Sequence, residues 1–242
     1  VPAIAEGLEK LRSRVLIFCY QLSHIRSGKA HIQKSLAVWK PELERYTGLV
    51  QQIKEKSKER KALIAEKKEL PVYRVKRHKA LAVHIAELTE DLEELRSEKA
   101  LLLQRFEYAE DAGAEEFRKD IATMEAGLKK LEAQEQRYSA ELDKALAEYD
   151  ELKAQAADFD PVELYKARQV IRPVQEKAAE QQLEDAMHEK PSLIMLLSAK
   201  QETSRLLGEG MEERQGRQLI MHRNQEQHQN SHSKQKRSDP ER

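Results

Sequence analysis

Apolar residues recur in alternating steps of three and four along three stretches of this chain. The first runs Ile4, Leu8, Leu11, Val15, Phe18, Leu22, Ile25, Lys29, Ile32, Leu36 and Trp39. The second runs Leu81, Ile85, Leu88, Leu92, Leu95, Lys99, Leu102 and Phe106. The third runs Phe117, Ile121, Met124, Leu128, Leu131, Glu135, Tyr138, Leu142, Ala145, Tyr149, Leu152 and Ala156. Such spacing lays one apolar stripe along one side of an α-helix, the pattern of a coiled-coil seam. A seam joins helix to helix and encloses no substrate-sized pocket.

Prolines and short polar clusters punctuate the pattern. Pro41 lacks a backbone donor and disfavours helical geometry at Lys40, so one helix is expected from Ile4 to Trp39 and another from Pro41 to Leu70. The second carries Leu43, Tyr46, Val50, Ile53 and Ile64, and its seam fails at Ser57 and Arg60. Pro71 ends it, and Leu70 to Val75 read as an extended connector. A third helix is expected from Arg77 to Tyr108. A turn through Glu110, Asp111, Ala112, Gly113 and Ala114 leads to a fourth, from Glu115 to about Ala157. A turn that short predicts an antiparallel αα-hairpin of the third and fourth helices. Gly127 inside the fourth helix costs about 1 kcal/mol relative to alanine, and room for a bulky neighbour is the reason the sequence offers.

Beyond the hairpin, Asp160 reads as an N-cap with Pro161 at the first helical position. That helix is expected to kink at Pro173 and to reach about Glu189. Pro191 and Ser192 open a short helix with Leu193, Ile194, Met195, Leu196, Leu197 and Leu206, closed by Gly208 and Gly210. The expected fold is all-α, built as long antiparallel coiled-coil hairpins or as an elongated helical bundle. Its parts are a two-helix segment over 1–70 broken at Pro41, a hairpin over 71–157 turning near Gly113, shorter helices over 158–210, and a disordered polar and basic tail over 211–242.

Composition narrows the function classes. Of 242 residues, 36% are charged and only 5% aromatic, and the mean hydropathy is -0.80. That is too polar for a large globular core and too regularly patterned for general disorder. Lysine plus arginine number 43 and aspartate plus glutamate 43, so the whole chain has no electrostatic pull toward polyanions. The single cysteine, Cys19, excludes an internal disulfide and suits a reducing compartment. No run approaches the roughly 18 apolar residues that span a bilayer, so membrane insertion is not expected. No secretory signal is evident, and the first residue is Val1 rather than Met, which fits processing or a piece of a longer polypeptide.

Catalytic patterns are missing from the sequence. It has no phosphate-binding glycine loop, no HExxH and no GxSxG. His24 and His31 lie seven apart, and His78 and His84 six apart, whereas ligation from one helix favours four; His222, His228 and His232 lie in the polar tail. Glu87, Glu90, Asp91, Glu93, Glu94 and Glu98 fill a solvent face, where nothing separates their pKa values for acid–base work. No enzyme activity, metal or cofactor is therefore expected.

The uneven distribution of charge is the strongest functional signal. Lys54, Lys56, Lys58, Arg60, Lys61, Lys67, Lys68, Arg74, Lys76, Arg77 and Lys79 crowd around the Pro71 connector, against Glu55, Glu59, Glu66 and Glu69. Candidate contact residues are Lys54, Lys56, Lys58, Arg60, Lys61, Arg74, Lys76, Arg77 and Lys79. Such a basic end has three readings: a solvated helix face with locally biased charge, a holder of nucleic-acid phosphates that reads no sequence, or a dock for an acidic protein. Arg214, Arg217, Arg223, Lys234, Lys236 and Arg237 would add a second, salt-sensitive contact.

Several segments resemble the C-terminal helical region of plasmid mobilization relaxases of the MobA/MobL type. They are residues 59–71 (ERKALIAEKKELP), 75–79 (VKRHK), 88–95 (LTEDLEEL), 119–131 (KDIATMEAGLKKL) and 197–207 (LSAKQETSRLL), the last ahead of a charged tail. The resemblance spans about residues 4–220, and the connector before Pro71 is its most specific element. In that family an upstream nuclease domain nicks plasmid DNA with a tyrosine beside a histidine-held metal. No position here matches that motif, and Tyr73 and Tyr108 have no metal cluster near them in sequence. The resemblance implies a non-catalytic, bacterial cytoplasmic region that contacts plasmid DNA, relaxosome proteins or the secretion apparatus. The competing reading is a coiled-coil scaffold that forms a homodimer through its seams.

Overall fold

A computed structural model describes residues 1–109 and 112–235, apart from the side chains of Glu212 and residues 227–235. Among the described residues there are six helices and no strand: α1 (Pro2–Glu69), α2 (Val75–Arg105), α3 (Ala114–Ala156), α4 (Pro161–Met187), α5 (Leu193–Leu206) and α6 (Glu209–Gln235). They divide into two compact units. One comprises residues 29–130 and the other residues 1–28 with 131–242.

α1 does not break at Pro41. It is a single helix through the proline, which stands exposed on its surface. Solvent can satisfy the carbonyl that lost its donor there, and the seam on either side keeps the helix in register. Trp39, Leu43 and Tyr46 all pack into the same aromatic core.

The chain reversal lies at Pro71 rather than near Gly113. Within the 29–130 unit, Arg45 meets Glu98 at 2.5 Å, Lys56 meets Asp91 at 2.5 Å and Arg77 meets Glu66 at 2.6 Å. These pairs lay α2 antiparallel on α1. The first half of α3 lies antiparallel on α1 as well: Lys40 pairs with Glu125 at 2.6 Å, and the Tyr46 hydroxyl donates to the Ala112 carbonyl at 2.9 Å. Because both run antiparallel to α1, α2 and the start of α3 share one direction, and the expected hairpin between them does not form. Of the expected turn, Glu110 and Asp111 lie outside the described residues.

Two features of the α2–α3 junction explain this. α2 ends in a Schellman arrangement: the Tyr108 amide donates to Leu103 at 2.9 Å and the Glu107 amide to Gln104 at 3.0 Å. Glu107 takes the left-handed position with φ 58°, where glycine is usual. An aromatic cluster then anchors the junction on α1. Phe117 is fully buried, with Tyr108 at 4.7 Å, Phe106 at 5.3 Å, Tyr46 at 5.4 Å and Trp39 at 6.1 Å between ring centroids. The polar residues inside the seams have partners too. Lys99 sits 5.9 Å from the Tyr46 ring centroid, and Glu135 pairs with Arg26 at 3.0 Å.

In the other unit the start of α1 and the end of α3 run antiparallel, with Arg14 on Glu148 at 2.8 Å. α4, α5 and α6 cover them, around Leu8, Val15, Leu16, Tyr20, Tyr149 and Leu183. Asp160 caps α4 by accepting from the Val162 amide at 2.8 Å, and Arg223 of α6 grips the same carboxylate at 2.9 Å. Pro173 lies inside α4. α6 carries helix to Gln235, through most of the segment expected to be disordered from residue 211; residues 236–242, with Lys236 and Arg237, lie outside the described residues. Gly127 has no steric need to be glycine, since a Cβ there would meet only Ile32 at an ordinary 3.7 Å.

Candidate nucleic-acid interface

The basic candidates fall into two groups once the α1–α2 pairing is known. Lys56, Arg60 and Arg77 are engaged across the α1–α2 pair. Lys56 pairs with Asp91, Arg60 Nε donates to the Thr89 hydroxyl at 2.8 Å, and Arg77 pairs with Glu66. The Asp91 hydrogen bond raises the Lys56 pKa above its ordinary value, which marks an occupied charge. Lys54, Lys58, Lys61, Arg74, Lys76 and Lys79 are exposed and make no ion pair among the described residues.

Three of these lysines form one feature. Lys54, Lys58 and Lys61 stand at i, i+4 and i+7, and Lys68 follows at i+14, so all four share one exposed face of α1. The side turned toward α2 is marked by Lys56, which pairs with Asp91, and Arg60, which reaches Thr89. The stripe is about 21 Å long at ~1.5 Å per residue. Glu55, Glu59 and Glu66 are displaced from Lys54 by about a quarter turn or more, and Glu69, about 60° round, borders only the far end of the row. Neighbouring like charges destabilise a helix by a few tenths of a kcal/mol per pair. The negative end of the α1 dipole compensates Lys67 and Lys68 in its last turn but does not extend to Lys54 and Lys58.

The start of α2 violates helix rules in the same sense. It has no acid in its first turn and no side-chain cap, and Arg74, Lys76 and Arg77 crowd its positive end. Further along the same outer face the charge inverts to Glu87, Glu90 and Glu94. The basic surface is therefore confined to the reversal and the adjoining α1 face. At the reversal itself Val72 and Tyr73 are 87% and 79% exposed. The basic residues of α6 are more occupied: Arg223 holds Asp160, and Arg217 lies 3.6 Å from Glu213.

A second constellation, in the other unit, went unseen in the sequence. Arg12 Nε donates to both Glu209 oxygens at 2.9 and 3.1 Å, and its Nη1 to Glu176 at 2.6 Å. Arg168 bonds Glu9 at 2.7 Å and the Tyr149 hydroxyl at 2.9 Å. Arg172 reaches both Glu9 and Glu209 at 3.1 Å, and Lys200 joins Glu176 to Glu180. Burial disfavours the Arg168 charge, but Tyr149, Glu9 and Glu209 outweigh it and raise its pKa. Burial likewise disfavours the Glu176 carboxylate, yet Arg12 and Lys200 prevail and hold it below its ordinary range.

This network contains acids, bases and a tyrosine, but every guanidinium is matched by carboxylates. It joins α1, α3, α4, α5 and α6 and has the geometry of a structural clamp. The sequence carried a faint signal for it. Ala5, Glu9, Arg12, Leu16 and Cys19 form a second heptad stripe on α1, in which Glu9 and Arg12 stand among apolar residues. Next to the clamp is a mainly apolar pocket of about 420 Å³ beside Leu8, Phe159, Leu164 and Tyr165; its Arg168 is already hydrogen-bonded. Gly216 closes onto Tyr165 so tightly that a Cβ would lie 2.8 Å from the ring.

Among the described residues no three His, Cys, Asp or Glu groups converge as metal ligands. His24 and His31 are exposed, His84 lies 3.2 Å from Glu59, and the side chains of His228 and His232 lie outside the described residues. Burial pushes the Cys19 thiol above its ordinary pKa, away from the thiolate a nucleophile needs. Among the described residues, no helix is long and apolar enough to cross a membrane. The chain matches no family model, no curated protein and no solved structure.

Proposed function

We propose that this chain is a non-catalytic helical region of a plasmid mobilization relaxase of the MobA/MobL type, working in the bacterial cytoplasm. Its α1–α2 pair holds DNA by the phosphate backbone. One observation carries the DNA part: Lys54, Lys58, Lys61 and Lys68 line one exposed face of α1 without an ion pair among the described residues. Such a row costs helix stability unless a polyanion neutralises it. A strand of phosphates displaces its own counterions onto the solution when it binds there, so affinity comes without sequence selection. The relaxase assignment rests on the sequence resemblance alone.

The engaged residues Lys56, Arg60 and Arg77 set the register of the helix pair, and the free lysines face the ligand. A gel shift with a short duplex at low salt tests this. Wild type binds, and K54E/K58E/K61E binds at least about tenfold more weakly. No wild-type shift at low salt removes the DNA reading.

A second reading, a coiled-coil scaffold that self-associates or receives relaxosome or secretion proteins, has its own support. Leu193, Ile194 and Leu197 at the start of α5 are 69%, 81% and 53% exposed. A dimer in sedimentation with no nucleic-acid affinity would favour it.

A further inference from the structure

Phosphate binding leaves the most exposed side chains of the reversal without a role. Val72 and Tyr73 project from the turn that the Arg74 amide closes onto the Pro71 carbonyl at 3.0 Å. The Tyr73 ring meets no other ring among the described residues, whereas Tyr46 and Tyr108 are packed in the aromatic core. Exposed Arg74, Lys76 and Lys79 flank it, and Lys68 connects it to the lysine stripe. A free aromatic face at the end of a cationic track is the combination that holds single strands.

We propose that Tyr73 stacks on an unpaired base, so that this hairpin prefers single-stranded DNA, or the junction of a single strand with a duplex, to intact duplex. The proposal rests on the phosphate-binding reading and names its substrate class. In a duplex the faces of the bases are covered by their neighbours, and a ring on a convex turn reaches only phosphates and edges. A single strand can turn one base onto Tyr73 while its phosphates follow Lys68, Lys61, Lys58 and Lys54. A lipid surface is the other anion that an exposed valine and tyrosine suit. Yet a flat surface meeting the turn end-on stands off from Lys61 and Lys54, which lie about 15 and 25 Å back along the helix axis. A flexible strand reaches both.

The test is fluorescence anisotropy of the whole chain with a dye-labelled 20-nucleotide strand and with the same strand as a duplex, at one low salt concentration. The single strand is expected to bind about fivefold more tightly or better. Tyr73→Ala is expected to weaken the single strand about tenfold and the duplex less than twofold, with Tyr73→Phe close to wild type. Equal affinity for both forms, or a Tyr73→Ala change shared by both, overturns the proposal and leaves phosphate binding standing. No binding of either form overturns both. Cosedimentation with phosphatidylserine vesicles that depends on Tyr73, with no single-strand preference, assigns the turn to membranes and overturns it as well.

Discussion

Glu209 accepts from Arg12 and lies within ion-pair distance of Arg168 and Arg172 while only 2% exposed. Its removal leaves Arg12 with Glu176 alone and makes Arg168 and Arg172 share Glu9, so largely buried positive charge is under-compensated. Glu209→Ala is therefore expected to cost about 3–5 kcal/mol in urea unfolding. A loss below about 1 kcal/mol would mean that the clamp is not load-sharing in this way. Exposed pairs such as Glu6 with Lys10 contribute little by comparison, because water screens them. The sequence could not separate these cases: Glu9 and Arg12 look like any charged pair on a helix, and only the arrival of α4, α5 and α6 buries them. Lys99 and Glu135, by contrast, were visible as exceptions within their seams, but the ring and the cation that satisfy them were not.

Among elements, helix type and the approximate extents of α2 to α5 were legible in the sequence, because a heptad stripe or a capped apolar run admits few other structures; the unbroken length of α1 and the helix α6 were not. Pairing did not follow, because one set of seam residues serves any antiparallel partner. The exit from α2 turns on Glu107, whose positive φ is unreadable in a residue other than glycine. Glu107→Gly relieves a left-handed backbone position and is expected to stabilise the chain by about 1 kcal/mol in thermal or urea unfolding. A destabilisation of that size would contradict the assigned geometry. Pro41 misleads in the opposite direction. It costs α1 a hydrogen bond, yet the aromatic core of Trp39, Tyr46 and Phe117 holds the helix across it.

At the scale of the whole chain, helices pack on helices through narrow seams, and charge is sorted by location. Carboxylates and guanidinium groups that must be buried are matched in one unit. In the other, cations collect unmatched on one α1 face and at the reversal. The basic surplus was legible as composition around Pro71. Its division into Lys56, Arg60 and Arg77, which bond across the α1–α2 pair, and Lys54, Lys58 and Lys61, which do not, required the pairing. The most direct measurement is the affinity of the whole chain for a short duplex from about 50 to 200 mM salt, for wild type and K54E/K58E/K61E. A log–log slope that falls by about one per lysine replaced, with the variant still folded by circular dichroism, is the expected result. Parallel lines of equal affinity would contradict the account.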